Sequence, residues 1–96
     1  MAKTVFDAAA FFATPERQAQ YISAALETGD VGFVRDAVGI VARARGMAEI
    51  AKAAGLNRES LYRTLSRRGN PEIRTLFNLL HGVGLRLNIT PEPATA

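Results

Sequence analysis

The chain has 96 residues, 48% of them hydrophobic and 22% charged, with a net charge of +3 and no cysteine. That is enough for one domain with one modest core, and it excludes disulfides, thiolate metal sites and the run of roughly 20 apolar residues that a bilayer crossing needs. The opening MAKTVFDAAAFFATPE has its apolar patch interrupted by Asp7 and lacks the pattern of an export signal, so a cytoplasmic protein is expected.

In chain order the pattern is helical nearly throughout. Asp7 is placed to cap a short turn, AAAFF. Thr14 then reads as an N-cap, with Pro15 at the first helical position and Glu16 in the first turn. Tyr21, Ile22, Ala25 and Leu26 form its apolar stripe, and Gly29 ends it. Asp30 caps a second helix in which Phe33, Val34, Ala37, Val38, Val41 and Ala44 recur at helical spacing up to Gly46. A short helix at about 47–54 carries Met47, Ile50, Ala51 and Ala54 on one face.

A further short helix follows Gly55, then the polar connection SRRGN. Pro71 is expected to start the last helix, with Ile73, Leu76, Phe77, Leu80 and Val83 on one side and Gly84 as its stop. There the period drops to two. Leu85, Leu87 and Ile89 alternate with Arg86, Asn88 and Thr90, which predicts one short strand over 85–89. A lone strand needs a partner: the N-terminal KTVF, a second subunit or another protein. PEPATA, residues 91–96, is a proline-broken tail expected to be loose. The expectation is therefore an all-α domain over residues 1–90, of about five helices with a short C-terminal strand.

Charge is unevenly placed. Residues 43–74 hold eight basic and three acidic side chains, a local charge of +5, while the rest of the chain carries −2. A basic middle on a mildly acidic frame is the footprint of a polyanion binder, or of a solvated arginine-rich face. Inside it, MAEIAKAAGLNRESLYRTLS, residues 47–66, has the layout of a helix-turn-helix centred on Gly55. Ile50, Ala54, Leu56, Leu61 and Leu65 face inward, and Asn57 caps the second helix.

That second helix presents Arg58, Glu59, Tyr62 and Arg63 outward. An α-helix fits the DNA major groove; arginine can donate two hydrogen bonds to guanine O6 and N7, and glutamate can accept from cytosine N4. These four are the candidate base readers, although a tyrosine beside Leu61 is equally compatible with a half-buried core position. Arg43, Arg45, Asn57, Ser66, Arg67, Arg68 and Asn70 are the candidate phosphate contacts that would fix the docking.

An enzyme is the weaker reading. His81, the one histidine, has no cysteine, second histidine or nearby acid to complete a metal set or a triad. Gly82–Val83–Gly84 ends a helix where a phosphate loop would start one. No metal or cofactor is expected. A protein-interaction module is the stronger rival, with segment 1–35, richer in acids than the basic middle, and its Phe6, Phe11, Phe12 and Phe33 facing a partner or filling a small core.

Residues 42–87, ARARGMAEIAKAAGLNRESLYRTLSRRGNPEIRTLFNLLHGVGLRL, together with FDAAAFF and YISAALETGD, resemble the addiction-module antidote proteins of bacterial toxin–antitoxin systems. These are HigA-type antitoxins with a lambda-repressor-like helix-turn-helix, and the resemblance runs to about residue 90. It implies an antitoxin that binds and neutralises a basic RelE/ParE-like toxin and represses the shared promoter, usually as a homodimer on a palindromic operator. It places the recognition helix at 57–66, with base-reading roles on Arg58, Glu59 and Arg63. Two positions depart from the pattern. Met47 stands where many relatives grip a phosphate with glutamine, and Thr64 stands where a larger apolar residue is common. A solitary helix-turn-helix regulator remains the alternative.

Overall fold

The computed structural model describes residues 13–66 and 70–93. Five helices lie in that span: α1, Pro15–Glu27; α2, Val31–Arg45; α3, Met47–Ala54; α4, Arg58–Thr64; and α5, Ile73–Gly82. The expected turn at AAAFF, the KTVF segment, the three N-terminal phenylalanines, Arg67 and Arg68, and the last residues of the tail lie outside the described residues.

The caps are those the sequence predicts. Thr14 Oγ1 accepts from the Arg17 amide at 3.2 Å, and Asp30 Oδ1 accepts from the Phe33 amide at 3.1 Å. Each satisfies one of the orphan amides at a helix start. Between α1 and α2, the Thr28 hydroxyl donates to Ala25 O at 2.6 Å and accepts from the Asp30 amide at 3.1 Å, fixing the corner. The last helix starts two residues later than expected. Glu72 is its N-cap residue, without a side-chain cap bond, and Pro71 precedes it in the connection.

α3 is the centre of the fold. It packs against α2, α4 and, most extensively, α5, while α1 lies along α2. One continuous core results, built from Ile22 of α1, Val38, Val41 and Ala42 of α2, Met47, Ile50, Ala51 and Ala54 of α3, Leu61 and Leu65, and Leu79, Leu80 and Val83. α3 and α5 cross closely because their contact residues are small: a Cβ added to Gly82 would stand 2.9 Å from the Ala53 Cβ.

Three expectations are corrected. The strand over 85–89 is not formed: residues 85–93 have no regular secondary structure, and the helices are the only regular elements among the described residues. The sequence alternates, but residues 86–90 are all exposed and no described segment offers the backbone partner that a ladder requires. Ile73 and Phe77 do not face the core; they are 71% and 52% exposed. The buried stripe of α5 runs through Leu76, Leu79, Leu80 and Val83, and at 100° per residue Ile73 and Phe77 fall on its flank. Phe33 is likewise exposed on the flank of α2. No helix among the described residues is long and apolar enough to cross a membrane.

Candidate nucleic-acid interface

α3 ends where Gly55 enters the left-handed region at φ 73°, ψ 27°. A residue with a Cβ adopts that conformation only at a cost, which is why glycine suits the position. The turn is closed by the Leu56 amide donating to Ala51 O at 2.8 Å and the Gly55 amide donating to Lys52 O at 3.2 Å. The chain then reaches Asn57 in an extended conformation, and Asn57 Oδ1 accepts from the Ser60 amide at 2.7 Å. Two helices are thus joined by a three-residue turn that is specified at both ends.

α4 has two faces with different occupations. Leu61 is fully buried and Leu65, just past the helix, is nearly so; together they clamp α4 to the core. Thr64 is half-buried beside Leu65, so Leu65 supplies the apolar anchor at this end of the helix. Arg58, Glu59, Tyr62 and Arg63 are all exposed. Tyr62, compatible from sequence with either face, is on the outer one at 43% exposure, with the Arg58 guanidinium 6.0 Å from its ring centroid. That is the outer limit of a cation–π contact, enough to bias the two side chains toward one another.

The flanking residues divide. Arg43 is exposed in the last turn of α2, with its guanidinium lying back along the helix over Gly39. Asn70 is exposed just before Pro71. The Ser66 hydroxyl donates to Arg63 O at 2.8 Å, which closes the C-terminal end of α4. Asn57 has its oxygen occupied as the helix cap, leaving its amide NH2 as the side chain's donor.

Arg45 has a different position. Its Nη1 donates to Val83 O at 3.0 Å and approaches Gln18 Oε1 at 3.5 Å, and its Nη2 lies 3.8 Å from Glu49. Gln18 is fully buried. Arg45 therefore ties α1, α2, α3 and the end of α5 together. By its charge alone Arg45 is a candidate phosphate contact; in the fold its guanidinium is held by partners 27 and 38 residues away. No local signal in the sequence marks Gln18 for burial, since a glutamine in the first turns of a capped helix ordinarily faces solvent.

The outer face of α4 and its flanks thus form a polar, predominantly basic surface on a short helix whose inner face is anchored in the core. Among the described residues no group of three or more His, Cys, Asp or Glu side chains is placed to hold a metal ion.

Comparison with known proteins agrees on the family. The family model of probable addiction module antidote protein matches residues 2–91. A protein from Haemophilus influenzae, described as uncharacterized, is 33% identical over 84 residues, covering 88% of this chain and 87% of that one. No solved structure matches. The chain belongs to the family of probable addiction module antidote proteins, which at this level means an antitoxin with a toxin partner.

Proposed function

We propose that this antidote-family chain is a HigA-type antitoxin whose α3–turn–α4 unit is a lambda-repressor-like helix-turn-helix. On this reading it acts as a homodimer that represses its own promoter and neutralises a RelE/ParE-like toxin. The observation that carries the DNA-binding part is the division of labour on α4: Leu61 is fully buried, while Arg58, Glu59, Tyr62 and Arg63 are all exposed.

A helix held in this way can enter the major groove as a rigid probe. Arg58 and Arg63 are the donors for guanine O6 and N7, and Glu59 is the acceptor for cytosine N4 or the brace for a neighbouring arginine. Tyr62 donates to a phosphate or packs against a thymine methyl. Arg43, the Asn57 amide, Ser66 and Asn70 surround the helix as phosphate contacts, joined by Arg67 and Arg68 of the same connection. Arg45 is left to the fold. In a two-fold dimer the two α4 helices would enter successive major grooves roughly 34 Å apart, which calls for a palindromic operator. No step of this mechanism is enzymatic, and none requires a cofactor or metal.

Binding to the promoter DNA upstream of the chain's own gene, followed by fluorescence anisotropy across a salt series, tests the reading. Arg63→Ala is expected to cost about 1–3 kcal/mol and to relax discrimination at one base position. Arg67→Ala is expected to weaken all sequences alike and to flatten the salt dependence. If both variants bind with wild-type affinity and salt slope, α4 is not the reading helix. For the toxin, a small basic reading frame beside the gene should arrest growth when expressed alone and be rescued by co-expression.

A further inference from the structure

Two of the exposed side chains of α4 lie together. Tyr62 follows Arg58 by one helical turn, which at 100° and 1.5 Å per residue puts their Cα atoms about 40° apart around the axis and about 6 Å apart along it. Helical side chains lean toward the N-terminus, so the Tyr62 ring covers the turn that begins with Arg58. The Arg58 guanidinium accordingly sits 6.0 Å from the ring centroid, and Arg58 has no ion pair among the described residues. Neighbours fix the backbone under both: Asn57 caps the helix through the Ser60 amide, and Leu61 is fully buried. A cation and a ring thus stand side by side at the leading end of an anchored helix.

We propose that Arg58 and Tyr62 together read one pair of adjacent bases. Arg58 takes a guanine, and the Tyr62 ring packs on the methyl group of a thymine beside it on the same strand. This rests on the operator reading of α4 and names what the start of that helix recognises.

Guanine presents O6 and N7 in the major groove, which a guanidinium meets with two N–H donors, and thymine presents its C5-methyl group there. Neighbouring bases on one strand are about 3.4 Å apart along the duplex axis and are also offset sideways by its twist. Two side-chain heads 6.0 Å apart therefore span two adjacent bases. Arg58 is the first residue of α4, and a recognition helix touches base edges with its N-terminal residues. A ring drawn to that end by Arg58 meets the floor of the groove, whereas the phosphates line its rims. Its carbon surface is best matched by thymine, the one base with a methyl group in the groove. Holding the two heads together before binding also reduces the rotamer freedom lost on docking.

Promoter duplexes with single-base substitutions, titrated by fluorescence anisotropy, test the unit in the full-length protein. Arg58→Ala is expected to abolish discrimination at one guanine. Replacing the thymine beside that guanine by deoxyuridine deletes the methyl group and keeps the base pairing. Wild type and Tyr62→Phe should each lose roughly fourfold in affinity on that replacement, and Tyr62→Ala should lose nothing. In a double-mutant cycle, Arg58→Ala and Tyr62→Ala should together weaken the promoter by less than the product of their separate effects. Both side chains are exposed, so helical content is expected to be unchanged in each variant.

An operator with no thymine beside that guanine, or a wild type indifferent to the uracil replacement, would overturn the unit and leave α4 as the reading helix. Tyr62→Phe that weakens every duplex alike, with the methyl group without effect, would assign the phenol to a phosphate and refute methyl reading. Single-mutant losses that simply multiply would refute the coupling of the two side chains. Promoter binding unchanged in both Arg58→Ala and Arg63→Ala would sink the operator reading, and the unit with it.

Discussion

The α2–α3 corner and the outer face of α4 both display arginine, and they use it in opposite ways. At the corner, Arg45 is bound to Val83 O, lies against the buried Gln18 and pairs loosely with Glu49. On α4, Arg58 and Arg63 are exposed; Arg58 leans toward Tyr62, with its guanidinium 6.0 Å from the ring centroid. Positive charge in a basic segment is therefore not a single quantity. A guanidinium that caps a buried carbonyl holds helices together, whereas one on a helix whose other side is anchored is available to a ligand. The two regions should separate when stability and DNA affinity are measured on the same variants.

The largest effect is expected where the outer face of α4 meets the core. Leu61→Ala removes a fully buried side chain from the contact that orients the helix. It should cost about 2–5 kcal/mol in denaturant unfolding, and DNA affinity should fall with it because the probe is no longer held. Next comes Arg45→Ala, which leaves Val83 O and the buried Gln18 without their cationic partner. A loss of roughly 1.5–3 kcal/mol in unfolding free energy is expected, with an unchanged salt slope for DNA binding. A fall in that slope with stability intact would show that Arg45 contacts phosphate after all, and the contrast between the two regions would collapse.

How much of this could be read from the sequence depends on the range of the interaction. Thr14, Asp30 and Asn57 were legible as caps, and Gly29, Gly55 and Gly84 as stops, because cap and turn chemistry acts over three or four residues. The inward set Ile50, Leu61 and Leu65 followed from periodicity. The role of Arg45 was not legible, since it is set by residues far along the chain on other helices. The exposure of Ile73 and Phe77 was not legible either. A stripe wide enough to include them is a normal helix face, and only the position of α3 against α5 decides which edge stays bare. The strand failed for a third reason: side-chain alternation is a property of the segment, but a ladder is a property of two segments.

The smallest effect gives the finest test, because Asn57 belongs to both regions. Its Oδ1 accepts from the Ser60 amide, and its NH2 is the donor that the operator reading assigns to a phosphate. Asn57→Ala removes both and should cost about 1 kcal/mol in stability as well as some affinity. Asn57→Asp keeps the cap, since aspartate accepts equally well at a helix start and its charge suits the N-terminal dipole. It also deletes the donor and sets a carboxylate against the DNA backbone. Unfolding free energy within about 0.5 kcal/mol of wild type, or slightly above it, is expected alongside clearly weakened DNA binding. If Asn57→Asp binds its promoter as well as wild type does, the start of α4 does not approach a phosphate. The groove geometry would then have to rest on Arg58 and Arg63 alone.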